Sequence, residues 1–325
     1  MINVMAPLLE VRGLIVELPT AAGWVRPVNE VSLSISAGES LGLVGESGSG
    51  KTMLSLALMG LLPLGARVSG EASLATEAST KSLMALGERE WRDVRGGEIA
   101  MVFQEPMTSL NPVMRIGAQI EETIRAHHPK LSANEVKRKA VDSLRRAAVP
   151  EPEARAEQFP HQLSGGLRQR AMIAMALAAG PLLLFADEPT TALDVTVQKQ
   201  ILDLLDGLRR ELKLGLLFIT HDLGVVAQVA ERVAVMYAGR IIEEGPVRNV
   251  LAKPLHPYTQ GLLRSSPTLK RGALMPIPGA VPQLIALPPG CAFEPRCDLR
   301  RAECAAEIPA LRTSGGDHAA RCILV

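Results

Sequence analysis

Residues 43–52 read "LVGESGSGKT", and this segment constrains the fold more than any other part of the sequence. It follows the pattern G-x-x-x-x-G-K-[ST] and lies between an apolar strand and the start of a helix at Lys51. The glycines let backbone N–H groups turn inward around phosphates, and the helix N-terminus adds positive potential. Lys51 is expected to reach the β- and γ-phosphates, and the Thr52 hydroxyl is expected to bind Mg²⁺. The predicted nucleotide-binding residues are Gly45, Glu46, Ser47, Gly48, Ser49, Gly50, Lys51, Thr52 and Met53.

Two adjacent acids follow a second apolar strand in "LLLFADEP", residues 182–189. The strand brings Asp187 to its carboxyl end, the edge at which α/β sheets bind ligands. Asp187 is therefore a candidate to hold Mg²⁺, and Glu188 is the candidate general base for an attacking water. Two acids that end a strand are often merely structural, but a phosphate loop in the same chain favours the catalytic interpretation.

Two further polar residues, Gln104 in "MVFQEP" and His221 in "FITHD", also come directly after strands. Either residue alone is more often structural. Because both are expected at the strand edge that faces the γ-phosphate, we include both as candidate catalytic residues.

A second candidate anion site is "HQLSGGLRQR", residues 161–170. Ser164 is a good helix N-cap, and Gly165 and Gly166 allow a phosphate to approach the helix start closely. The chain already has a complete phosphate loop, so the spacing leaves open whose phosphate this second site binds.

The order of elements predicts an α/β protein. Strand patterns fill residues 9–44, a polar helical insert covers about 117–159, and Ser132 with Glu135 forms a capping-box spacing for a helix through Arg146. The strands "LLLFA" and "GLLFIT" flank a helix over 195–212, which predicts a mostly parallel sheet wrapped by helices. From Pro254 the chain becomes proline-rich, and we interpret this tail as an appendage.

The charge and the apolar runs of the sequence bear on which partners and which location to expect. The formal net charge is +1, so no strong field attracts nucleic acid or an anionic membrane. The start has neither a basic segment nor a long apolar run, so we expect no secretory signal. The most apolar run, 171–186, contains Gly180 and Pro181 and is shorter than the about 20 residues of a membrane span, so it predicts a buried helix, a turn and a strand. A cytosolic protein is expected.

Taken in order, these motifs resemble the ATP-binding subunit of an ABC transporter over roughly residues 8–257. The phrases "QEPMTSLNP", "PTTALDVTVQ", "HPYTQGLL" and "PGCAFEPRC" are similar to ATPases of oligopeptide and dipeptide (peptide/nickel) importers. The resemblance implies an ABC-type P-loop ATPase fold, with a RecA-like core and an antiparallel β subdomain. It places the nucleotide-binding domain at 1–257, a helical subdomain at about 105–165, and a cysteine-containing C-terminal extension at 258–325.

The resemblance also implies the function. The chain is expected to bind and hydrolyse ATP for a di-/oligopeptide importer, as a peripheral subunit on the cytoplasmic face of the inner membrane. The implied partners are two integral membrane permease subunits, a second, paralogous ATPase and an extracytoplasmic solute-binding protein, with no nucleic acid. Nickel or another small solute is an alternative cargo. A soluble ABC ATPase acting on ribosomes or DNA is a weaker alternative, because this chain has one phosphate loop and no coiled-coil insert.

In that family two ATPases pair head to tail, so the resemblance assigns Ser164, Gly165 and Gly166 to ATP bound by the partner. It places Asp194 at the dimer interface, and it directs Gln104 to Mg²⁺ and water and His221 to the γ-phosphate. The stretch 104–112 is expected to receive a short helix from the permease.

One position departs from the family pattern. Relatives usually stack adenine on an aromatic residue of the first strands, but Leu18 occupies the expected place. Trp24 could substitute, or adenine could pack on Leu18 and Val28.

All four cysteines lie after residue 290, spaced C-x5-C-x6-C-x17-C. This spacing matches no standard zinc motif, and a cytosolic location disfavours disulfides. Four thiolates can hold zinc or an iron–sulfur cluster. The resemblance favours a [4Fe–4S] cluster, with zinc or unligated thiols as alternatives. The proposed ligands are Cys291, Cys297, Cys304 and Cys322.

Overall fold

The computed structural model describes residues 7–76, 79–105, 109–191, 193–266 and 275–325. The chain divides into two compact units. The described residues of Met1–Ser36, Ser40–Ala85 and Phe218–Val325 belong to the first unit, and those of Ala37–Glu39 and Leu86–Leu217 belong to the second.

The first unit contains a four-stranded antiparallel sheet. Its strands are β1 (Leu9–Thr20), β2 (Gly23–Ile35), β4 (Arg67–Ala75) and β5 (Thr80–Ser82), in the order β2-β1-β4-β5. In β1 the apolar side chains of Val11, Leu14 and Val16 are buried, while polar neighbours reach the surface. One face of the sheet therefore packs into the core and the other faces solvent.

A second sheet in the same unit supports the phosphate loop. Strand β3 (Ser40–Val44) pairs in parallel with β9 (Arg232–Tyr237), which turns back into β10 (Arg240–Pro246), and the short strands β12 (Ala319–Ala320) and β11 (Arg312–Thr313) extend the edge. All five residues of β3 are buried, as expected for a central parallel strand. The helices of this unit are α1 (Lys51–Leu58), α8 (Leu223–Val229), α9 (Val247–Ala252) and α10 (Pro257–Ser265).

The second unit holds the parallel pair β6 (Ile99–Val102) and β7 (Leu183–Asp187) and most of the helices. These helices are α2 (Glu88–Val94), α3 (Ile116–His127), α4 (Ala133–Arg146), α5 (Pro152–Ala156), α6 (Gly165–Leu177) and α7 (Val195–Leu212). Strand β8 (Gly215–Thr220) carries the chain from the second unit into the first. Short 3₁₀ turns lie at Leu83–Ala85, Pro160–Gln162, Glu294–Arg296 and Ala302–Ala305.

The α/β class is confirmed, and several element predictions are accurate. Helix α7 has the expected bounds, and α4 begins at the capping box, where Ser132 N–H donates to Glu135 at 2.8 Å. The polar insert consists of three helices whose apolar sides share one core, including Ile120, Val136 and Leu144. The helix expected to reach about residue 61 ends earlier, at Leu58, and a turn follows at Gly60, where φ is +62°.

The apolar run 171–186 forms the end of α6 and most of β7, as predicted. In the part of the chain that the structure describes, no helix combines the length and apolar composition of a membrane span. Basic residues of α4 pair with carboxylates, Arg145 with Glu153 and Arg146 with Glu211, both at 2.6 Å. These exposed arginines therefore belong to a solvated face of the helix.

The two compact units do not coincide with the domains expected from the sequence. The described part of 258–325 belongs to the same unit as the phosphate loop, and the helical insert belongs to the unit that carries β6 and β7. The division at residue 257 stays a prediction.

Candidate functional site

The phosphate loop follows β3 and leads into α1, as the sequence predicts. A Cβ atom on Gly45 would lie 2.1 Å from the Met236 carbonyl oxygen. On Gly50, where φ is +106°, a Cβ atom would lie 1.9 Å from the carbonyl oxygen of Pro27. Any side chain at either position would therefore displace backbone, so the two glycines are required by packing as well as by the motif.

Lys51 is the centre of this loop. Its side chain is buried, and Nζ donates to the carbonyl oxygens of Gly45 at 2.7 Å and Glu46 at 3.0 Å, with the Ser49 hydroxyl at 3.4 Å. These hydrogen bonds fix the position of the ammonium group within the loop. Thr52 is exposed at the first turn of α1, and Ser47 and Gly48 form the exposed crest of the loop.

Glu46 is also held from outside the loop by residues that sequence analysis missed. Its backbone N–H donates to the Tyr258 hydroxyl at 2.8 Å, and its carboxylate pairs with Arg296 at 2.7 Å. Both partners come from the C-terminal part of the chain. The only local signal at Tyr258 is the proline that precedes it, which predicts a helix start but no contact with the phosphate loop.

In the second unit, Gln104 and Glu188 meet although 84 positions separate them. Gln104 Nε2 donates to Glu188 Oε2 at 3.2 Å, and the Thr191 hydroxyl donates to the same oxygen at 2.8 Å. Glu188 has φ of +46°, a left-handed conformation that costs a non-glycine residue about 1–3 kcal/mol. Asp187 ends β7 and is 3% exposed. The strand end and two hydrogen bonds therefore fix the direction of the Glu188 carboxylate.

The second anion motif forms a helix start, as predicted. Ser164 is the N-cap of α6, and its hydroxyl accepts from Leu167 N–H at 3.4 Å. Ser164 and Gly165 are exposed, whereas a Cβ on Gly166 would lie 2.9 Å from a methyl group of Val197. Asp194 is the N-cap of α7 and accepts from two backbone N–H groups, at 2.9 and 3.0 Å.

His221 and the candidate adenine contacts lie in the first unit. His221 follows β8 and is exposed. Val28 is fully buried, so its side chain does not offer a surface to adenine. Trp24 is 43% exposed, but the Arg67 guanidinium already lies 4.0 Å from its ring centre. Within the stretch 104–112, residues 106–108 lie outside the described part of the chain.

The four cysteines line one pocket together with His256 and Phe293. Burial raises the pKa of the Cys291 thiol to about 11, and it also raises the pKa of Cys297 and of Cys322. These groups are therefore thiols at neutral pH. Among the described residues no three or more His, Cys, Asp or Glu side chains are arranged to hold a metal ion.

This chain has the features of a nucleotide-binding ATPase with a phosphate loop. These features are the loop itself, the buried lysine and the acids at the strand end. Comparison with known proteins identifies the family within this class. Residues 28–191 match the ABC transporter family, and residues 242–304 match the oligopeptide/dipeptide transporter C-terminal region. This chain belongs to the ABC transporter family.

The similarity to relatives extends over nearly the whole chain. A protein of Brucella melitensis named as a peptide import ATP-binding protein is 51% identical, over 98% of this chain and 97% of its own length. A protein of Brucella abortus with the same description is 46% identical, over 98% and 95%.

Solved structures share the fold. An ATP-binding cassette, determined as a dimer in a post-hydrolysis state with ADP and phosphate, has a TM-score of 0.65 and 28% identity, covering 74% of this chain and 99% of its own. The cbiO1 protein from Clostridium perfringens, part of an ABC transporter complex, has a TM-score of 0.62 and 26% identity, covering 77% and 92%.

Proposed function

We propose that this chain is the ATP-hydrolysing subunit of a membrane importer for di- and oligopeptides. The observation that carries the proposal is the joint presence of an intact phosphate loop and an oligopeptide/dipeptide transporter C-terminal region in one chain. Near-full-length relatives named for peptide import support the cargo class.

In this proposal the phosphates of ATP bind the loop from Gly45 to Met53, where the exposed crest at Ser47 and Gly48 and the helix start at Lys51 favour an anion. Thr52, Gln104 and Asp187 hold Mg²⁺, which neutralises phosphate charge. Glu188 orients and polarises the attacking water. The contacts of Gln104 and Thr191 with its carboxylate support this role, because they fix the direction of the base. His221 contacts the γ-phosphate.

We propose that a second ATPase completes each site. The exposed Ser164 and Gly165, together with Gly166, contact the γ-phosphate of ATP bound mainly by the partner subunit, and Asp194 lies at that interface. Exposure at a helix N-terminus supports this assignment, since an anion reaches such a position without displacing protein. ATP then stabilises the pair, and hydrolysis releases it.

The remaining assignments follow from the family. The chain acts at the cytoplasmic face of the inner membrane, bound to two permease subunits, with an extracytoplasmic solute-binding protein delivering cargo and no nucleic acid involved. Nickel or another small solute is the second candidate cargo, because related ATPases serve several solutes.

A [4Fe–4S] cluster on the four cysteines stays a prediction. The pocket that all four cysteines line supports this prediction, and zinc or unligated thiols are the alternatives. Assays for iron, labile sulfide and zinc on anaerobically purified protein separate the three states.

The test of the proposed function is to isolate the membrane complex through a tag on this chain and reconstitute it in vesicles together with its solute-binding protein. Di- and oligopeptides should stimulate ATP hydrolysis and accumulate in an ATP-dependent manner, whereas nickel should not. A Glu188→Gln complex is the matched control. Absence of membrane subunits, or equal hydrolysis with and without every solute tested, would contradict the proposal.

A further inference from the structure

The C-terminal extension inserts a buried arginine against the phosphate loop. Arg296 has a side chain that is only 5% exposed. Its guanidinium nitrogens donate to the two carboxylate oxygens of Glu46, at 2.7 and 3.1 Å. Two parallel hydrogen bonds between a guanidinium and a carboxylate fix orientation as well as distance. A loop residue is therefore tied to a residue 250 positions away.

The guanidinium is itself held in place on its other sides. Arg296 Nε donates to the carbonyl oxygen of Pro278 at 2.8 Å, and a terminal nitrogen donates to the Tyr237 hydroxyl at 3.3 Å. The rings of Tyr237, Tyr258 and Phe293 pack against one another, with centroids 4.5 to 5.4 Å apart. The arginine therefore belongs to a rigid, largely aromatic layer.

The same layer also holds the backbone of Glu46, because the Tyr258 hydroxyl accepts its N–H at 2.8 Å. Both the side chain and the amide of Glu46 are thus directed into the protein. The Glu46 carbonyl oxygen, in turn, accepts from Lys51 Nζ at 3.0 Å. The position of this one residue therefore bears directly on where the phosphate-binding lysine lies.

We propose that Arg296 is a positioning residue for ATP binding. Through its pair with Glu46, the C-terminal extension holds the phosphate loop in the form that accepts ATP, and the extension becomes a working part of the nucleotide site. The proposal rests on the proposed function, since it requires that this loop binds ATP. It adds that nucleotide affinity depends on a residue outside the G-x-x-x-x-G-K-[ST] pattern of the loop, in the extension that carries the cysteines.

The first experiment measures the dissociation constant for a fluorescent ATP analogue with Mg²⁺, using the full-length chain. If the loop of Arg296→Gln is correctly formed in only a tenth of the molecules, the dissociation constant rises about tenfold. In the membrane complex the same variant should raise the KM for ATP and leave kcat at saturating ATP unchanged, because ATP restores the loop. Arg296→Lys should give an intermediate loss, since lysine keeps the charge but not the paired hydrogen bonds.

The matched control is Arg300→Gln, which removes an exposed arginine from the same extension, 4.0 Å from Glu294. It should bind ATP as the wild type does. A double-mutant cycle then isolates the ion pair. Glu46→Gln combined with Arg296→Gln should weaken binding no more than the weaker-binding single variant does, because both changes remove the same contact. Thermal unfolding of each variant confirms that the protein measured is folded.

The outcomes are distinguishable. Wild-type affinity in folded Arg296→Gln, or losses that multiply in the double variant, would overturn the inference and leave the proposed function intact. A drop in kcat without a change in KM would also overturn it. If the wild type itself does not bind ATP, the proposed function fails together with this inference.

Discussion

Lowering the pH should reduce the free energy of unfolding of the first unit, because one buried histidine in its C-terminal part stays neutral in the folded protein. His256 is 1% exposed, and burial lowers its pKa to about 3. Its Nδ1 accepts the backbone N–H of Tyr258 at 3.0 Å, as the N-cap of α10. The ring is therefore neutral in the folded protein at every pH above about 3. This histidine anchors the helix whose tyrosine contacts the phosphate loop.

The sign and size of the effect follow from linkage. In the unfolded chain the histidine pKa is about 6.5, so below that pH the unfolded state binds a proton that the folded state does not. Stability from the neutral histidine is complete above pH about 6.5 and falls as the pH drops toward the folded value. Between pH 7 and pH 5, this single group removes about 2 kcal/mol from the free energy of unfolding.

The assay compares the wild type with His256→Asn, which keeps an N-cap acceptor but does not titrate. Because Trp91 lies in the second unit, a Trp91→Phe background lets the fluorescence of Trp24 report urea unfolding of the first unit. From pH 7 to pH 5, the histidine protein should lose about 2 kcal/mol more than the asparagine variant. Any cavity left by the smaller asparagine affects both pH values alike. Equal losses in the two proteins would refute the assigned protonation state.

Three further substitutions test the nucleotide site. Glu188→Gln should keep ATP binding and lower the hydrolysis rate about 10²- to 10⁴-fold, measured by phosphate release, and near-normal turnover would remove Glu188 from its role. Gly50→Ala should abolish binding of the ATP analogue, because its methyl group would lie 1.9 Å from a backbone oxygen; Gly207→Ala, in α7 and with no atom within 4 Å of its Cβ, is the matched control. Ser164→Ala should cost α6 about 1 kcal/mol of capping energy and slow hydrolysis in the assembled pair, yet leave ATP binding to the isolated chain unchanged; weaker binding there would argue against a role toward the partner.

Local chemistry made much of this fold predictable. The phosphate loop, the capping box at Ser132 and the helix over 195–212 each depend on residues within a few positions of one another. The positions of Gln104 and Glu188 directly after strands also predicted that both are functional residues. The structure joins their side chains by a hydrogen bond. This prediction uses a general rule, because polar residues at the carboxyl ends of parallel strands lie at the same edge of the sheet.

Long-range packing was not predictable in the same way. No spacing rule links Glu46 with Arg296, and a single arginine in a proline-rich tail gives no periodic signal. Trp24 looked available for adenine in the sequence, but its ring is stacked by Arg67, a residue on a different strand. The burial of Val28 likewise follows from the register of β1 and β2, in which it pairs with Val16.

The central claim is that two ATPase subunits together complete the site that hydrolyses ATP. The most direct measurement is the rate of phosphate release per subunit, for this chain alone over a range of concentrations and for the assembled membrane complex. Phosphate release by the dilute, monomeric chain should be very slow, and its rate should rise with pairing or assembly. A strictly monomeric preparation that hydrolyses ATP as fast as the complex would contradict the central claim.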